Sequence, residues 1–322
     1  MSIRDTSVHG LRLLQLENEW LSASILPGVG AKILAIWDKT SDRQILWENP
    51  RIRPQSYPID ANFDNYWCGG WDDAYPTADA CVHGGEPFPN LGELRSLEWK
   101  VEELEGDKTG DKTKATVKLS ALGPISAIRA SKTITLTGQV LQMNFAIESV
   151  SPIPLDFLWG THPAFAVEEG TRLMIPARTG IVAQSNHPSL GAPGDRYSWP
   201  LINGRDMSVV PDVSTGLHCG HYATDLEDGW FAVETKGRGA LFEFPLETCP
   251  HLWLWLVYGG WRGYHHAVVE PWTGYPVNLA QAFEQGRHST LAPGKTFSAT
   301  VRCTTYRAPE TYLDALQRIR RS

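Results

Sequence analysis

A repeat of two limits what this chain can fold into. In ATVKLSAL (115–122), KTITLTG (132–138) and VLQMNFAIESV (140–150) apolar and polar residues alternate, as strands with one buried face require. LTGQVL reads as a tight hairpin turning at Gly138. Residues 17–50 divide into three strand-like pieces at Pro27–Gly30 and Lys39–Asp42, and residues 103–114 read as a charged, exposed hairpin tip. Strands recur to about residue 306, and no stretch before that point suits the helices of βαβ crossovers. The pattern predicts an all-β, antiparallel sandwich. The tail 309–322 is predicted helical, acidic in its first turn and basic in its last. No repeat, linker or shift of composition divides residues 1–322, so one domain is expected. Residues 51–92 and 176–224 read as long irregular stretches, the usual frame of a site.

Charge narrows the partners. A net charge of −7 lacks the basic face that nucleic acid or an anionic membrane needs, and no apolar run is long enough to span a bilayer. The N-terminus lacks the apolar stretch of a secretory signal, and five scattered cysteines fit reduced thiols, so a cytoplasmic location is expected. The 13 tryptophans often sit beside Gly, His or acidic residues. Aromatic faces edged with polar groups suit a sugar, although they also suit a large β core.

Two ionisable residues stand in apolar surroundings. His162 lies within DFLWGTHPAFAV (156–167), and Glu270 follows an apolar run and precedes Pro271. Both read as strand-end residues before a proline. Burial shifts such groups toward the working pH, and a converging pair can exchange roles as acid and base. Taken alone, Glu270 could equally pair with an arginine such as Arg262. The HCGH run, with His218 and His221, has metal-type side chains but no matching second pair, so no metal is expected there. His265 and His266 are adjacent and would face opposite sides of a strand.

Three blocks in collinear order resemble the aldose 1-epimerase (galactose mutarotase-like) superfamily: THPAF (161–165), VVEPWT (268–273) and LAPGKTFSATVRCTTY (291–306). ILPGVGAKILAIWD (25–38) and GELRSLEW (92–99) also fit. The resemblance implies a large antiparallel β-supersandwich, no cofactor, a small-molecule carbohydrate as ligand, and anomer interconversion with His162 as acid and Glu270 as base. It makes Arg95 a sugar contact, where a salt bridge with Glu93 or Glu98 is the alternative. An aspartate that grips hydroxyls is expected at Asp225 or Asp228, with Trp71, Asp72 and Asp73 as further ligands beside Trp159 and Trp272. Many relatives place a second histidine before the glycine that matches Gly92, but here that residue is Leu91. Either His83 reaches the pocket from a longer loop, or the second histidine is absent. That departure keeps a non-catalytic sugar-binding or sugar-sensing protein as the alternative. The sequence does not set the oligomeric state, as monomer or homodimer.

Overall fold

The computed structural model describes residues 2–106 and 114–321. Among these, a twelve-stranded and an eight-stranded antiparallel sheet carry most of the chain. The alternating segments pair as the sequence predicts: the hairpin 128–149 turns at Gly138, whose φ of +52° suits glycine. The centre of the predicted charged tip, 107–113, lies outside the described residues, while its flanks Lys100–Glu105 and Lys114–Leu122 pair antiparallel. The tail forms the helix Tyr312–Arg321, which buries Ala315, Leu316 and Ile319 against Val140, Leu241 and Tyr306 on the eight-stranded sheet.

The second long stretch is less irregular than its sequence suggests. Within it run Ala177–Ser185 and Leu217–Leu226, which pair with each other inside the larger sheet. Trp71–Ala74 is also a strand rather than loop, wedged between the strands Lys32–Asp38 and Gly160–Ala166. A short helix, Leu279–Glu284, was not signalled by the sequence.

The main core lies between the two sheets. Trp71, Phe165 and Val269 from the larger sheet meet Phe145, Phe242 and Val301 from the smaller. A second cluster, with Trp47, Trp67, Tyr222, Val268 and Trp272, covers the outer face of the larger sheet. Both faces of the central strands are therefore apolar, which explains why 156–167 does not alternate.

One ion pair crosses the inner core. The Lys132 ammonium lies 2.7 Å from an Asp73 carboxylate oxygen, both side chains almost fully buried. Lys132 also donates to the carbonyls of Gly30 and Ala31 and sits over the Trp99 ring. A charge buried this deeply is tolerated only while its partner is present. Lys132→Met alone should lose about 3–5 kcal/mol in denaturant unfolding. Lys132→Met combined with Asp73→Leu should recover much of that loss, and a double variant as unstable as the two single losses added would contradict this account.

Candidate active site

Directly opposed residues of antiparallel strands point to the same side of a sheet. Across the larger sheet, Tyr222 opposes Trp253, and Trp253 opposes Glu270. The register that sets Gly160 against Trp272 and Ala164 against Val268 brings His162 level with Glu270, and His162 opposes Asp72. One row therefore runs from Tyr222 through Trp253, Glu270 and His162 to Asp72, over five strands. It faces outward, away from the inter-sheet core.

Neither key residue ends a strand. His162 stands inside Gly160–Ala166, and Pro271 still opposes Leu252 within His265–Trp272. Proline cannot donate to a ladder, so Pro163 and Pro271 each remove a backbone donor beside His162 and Glu270.

His162 and Glu270 meet in one cavity of about 300 Å³. The His162 Nε2 lies 3.7 Å from Glu270 Oε1, with 3% and 1% of the residues exposed. Trp253, Trp255 and Trp261 form the aromatic wall, with His218, Gln184 and Asp79 as polar lining. Glu270 does not pair with Arg262, which instead donates to the Asp64 carbonyl and Asn65. The Glu270 Oε2 accepts one hydrogen bond, from the Trp272 indole N–H at 3.0 Å. Gly160 makes room for that indole, since a Cβ there would fall 2.2 Å from the Trp272 ring. Glu270 Oε1 and His162 Nδ1 are buried with no partner in the protein, the condition of groups awaiting a ligand.

Burial raises the Glu270 carboxyl well above the ordinary value, and the Trp272 hydrogen bond only partly opposes it. Burial likewise pushes His162 down to about 3, with the Lys32 charge nearby adding to the effect. Both shifts favour the neutral forms, a proton on the carboxyl and none on the imidazole.

Several predicted ligands lie elsewhere, for reasons of strand alternation. Trp71 and Asp73 point inward: Trp71 packs on Phe242 and donates to Thr161 Oγ1, and Asp73 holds Lys132. Trp159 also faces the core, stacked on Phe145. Asp72 shares the outer face with His162 but is sealed beneath the cavity, 3.1 Å from the Lys32 ammonium. Burial works against the Lys32 charge, yet Asp72 together with the Cys68 and Tyr57 side chains outweighs it and raises the ammonium above its ordinary value. Trp272 supports Glu270 from below without lining the cavity.

Arg95 is neither a surface salt bridge nor a lining residue. It is buried, donates to the carbonyls of Asn90 and Ala61, and lies over the Phe63 ring. It thereby ties together two loops whose Phe63, Asp64, Asn90 and Leu91 wall the cavity. Leu91 itself lines the cavity, with a φ of +55° that is unusual for a residue carrying a Cβ. His83 does not reach the cavity, because its Nε2 is held 3.2 Å from Asp156. Asp225 is exposed at a strand end, and Asp228 is paired with Arg320 on the surface.

The residues missed from sequence were legible as alternation. HLWLWLV places Trp253 and Trp255 on one face, and LHCGHY places His218 with Gly220. His218 belongs to the cavity, where its Nε2 accepts from the Trp255 indole N–H at 2.9 Å. Its pKa is lowered by burial, and accepting at Nε2 puts the proton of the neutral ring on Nδ1.

Trp272→Phe should raise the Glu270 pKa further, because it deletes the hydrogen bond that favours the carboxylate. Carboxyl-stretch infrared difference titration against Glu270→Gln checks this, and a downward shift would exclude Trp272 as a support of the charged form.

No protein-family profile matches the sequence, and no curated protein is similar to it. Solved structures are. The Slr1438 protein from Synechocystis superposes with a TM-score of 0.67 at 19% identity, over 95% of this chain and 99% of that one. A galactose mutarotase-like protein from Clostridium acetobutylicum gives 0.68 at 16% identity, over 95% and 98%. A galactose mutarotase related enzyme from Lactobacillus acidophilus gives 0.65 at 17%, over 91% and 97%. Likeness at these identities is likeness of backbone architecture. The chain thus has the galactose mutarotase-like fold, as its sequence blocks imply.

Proposed function

We propose that this protein interconverts the anomers of a sugar by acid–base ring opening, with Glu270 as base and His162 as acid. The observation that carries the reading is the pair itself: two buried groups 3.7 Å apart, each with an unpartnered polar atom, lining one aromatic cavity. The anomeric hydroxyl and the ring oxygen are bonded to the same carbon, so an acid and a base serving both must stand this close. Glu270 takes the hydroxyl proton while His162 gives one to the ring oxygen, and the bond from that oxygen to the anomeric carbon breaks. The open aldehyde turns and is attacked on its other face by the hydroxyl that the ring oxygen has become, and both protons return. Concerted help of this kind contributes about 10²–10⁴-fold.

The preference for neutral forms is compatible with these roles. The pair holds one transferable proton whichever group bears it. A bound sugar donates to the carboxylate and accepts from the imidazolium, replacing the dry wall that favours the neutral forms. The charge-separated arrangement then gains both hydrogen bonds and the mutual attraction of the ions.

Nuclear magnetic resonance exchange or polarimetry on a panel of aldoses tests the reading. Glu270→Gln should lower anomer exchange by about two or more orders of magnitude while sugar binding persists, since the amide cannot accept the proton. His162→Asn should act similarly, and the double variant should be little worse than either. Leu91, where relatives hold a histidine, favours the rival reading of a sugar-binding protein without catalysis. That reading expects no exchange above buffer from the wild type, and a fully active Glu270→Gln would exclude the base.

The pH profile follows from the proton count. Activity needs one proton on the pair, so kcat/KM falls in acid only when a second proton binds. His162 resists that proton down to about 3, which leaves the acid limb far below the ordinary imidazole range. The alkaline limb marks loss of the remaining proton, above the usual carboxylate range because burial raises Glu270. An acid limb near the free-histidine value would refute this assignment.

A further inference from the structure

The Glu270 cavity does not close behind Trp253. A second chamber of about 440 Å³ adjoins it, and the two share Asp79, Gln184 and Trp253 as lining. Trp253 is fixed as the partition: its ring lies 4.7 Å from that of Tyr222, and a Cβ on Gly220 would fall 2.2 Å from it. Beyond the partition stand Tyr275 and Arg287, with Gln281 and Gln285 from the short helix and its C-terminal end. The Arg287 guanidinium lies 4.4 Å over the Tyr275 ring. Among the described residues no carboxylate or carbonyl holds its donors.

We propose that this second chamber is a subsite for a second sugar ring, so that the ligand is a reducing disaccharide or longer saccharide. The placement of its reducing ring beside Glu270 rests on the reaction proposed above, which needs a free anomeric hydroxyl there. The linkage to the next ring leaves past Trp253. Three features select this ligand class. The chamber pairs one acidic with one basic side chain, Asp79 and Arg287, so its formal charge sums to zero. Its amides, Gln184, Gln281 and Gln285, each donate and accept, matching hydroxyls that do the same. A phosphate only accepts, and it would face the Asp79 carboxylate. The stacked guanidinium is held flat, so its donors reach the chamber at small entropic cost.

Calorimetric titration of the full chain with glucose, galactose, maltose, cellobiose, lactose and a hexose phosphate tests the subsite. At least one disaccharide should bind about tenfold more tightly than its reducing-end monosaccharide, the effect of hydrogen bonds to a charged group. Arg287→Ala should bring that ratio close to one, and Gln285→Ala should lower it. Both side chains are exposed, so neither change endangers folding. Disaccharides that bind no better than monosaccharides would overturn the subsite. So would a hexose phosphate that outbinds every disaccharide in an Arg287-dependent manner. If the disaccharide preference holds while no sugar exchanges anomers faster than in buffer, the subsite stands and the catalytic reading falls. If exchange occurs without the preference, the subsite falls alone.

Discussion

The antiparallel register of five strands is the constraint on which the site depends. Because opposed residues share a face, one row presents Tyr222, Trp253, Glu270, His162 and Asp72 together. A slip of one residue in the strand Gly160–Ala166 would turn His162 into the inter-sheet core and bring Thr161 outward. Since both faces are apolar, shape-specific packing such as Trp71 on Phe242 resists such a slip. The two prolines beside the key residues lower the number of ladder bonds there, and side-chain packing, such as Trp272 over Gly160, holds the strands instead.

The electrostatic design separates charges by layer. Asp73 is neutralised by Lys132 inside the sandwich, and Asp72 by Lys32 beneath the cavity floor. Glu270 and His162, on the same sheet, have no such counter-ion and are left to each other. This contrast distinguishes the carboxylates that hold the scaffold from Glu270, which has no lysine or arginine counter-ion. Pairing removes a carboxylate from chemistry as effectively as distance does, because proton affinity follows the local field. Arg95 and the indole of Trp272 act one step further out: one fixes the loops of the wall, the other orients the carboxylate.

Alternation, hairpin chemistry and the tail helix were all legible in the amino-acid sequence, since each depends on local spacing and backbone propensity. The blocks around His162 and Glu270 were legible too, because an ionisable residue in an apolar run needs a special environment wherever it folds. Period two also determined that Trp253 and Trp255 share a face, although not which face or against what. The tertiary structure decided the rest. It turned Trp71, Trp159 and Asp73 inward, spent Asp72 on a lysine forty residues upstream in the chain, tied His83 to Asp156 and brought His218 to the cavity. The physical reason is that such partners come from elements remote in sequence: Lys32 and Asp72 from paired strands, His83 and Asp156 from strands of two different small sheets. Short-range spacing fixes which way a side chain points relative to its neighbours, and only the assembled sheets fix what it meets.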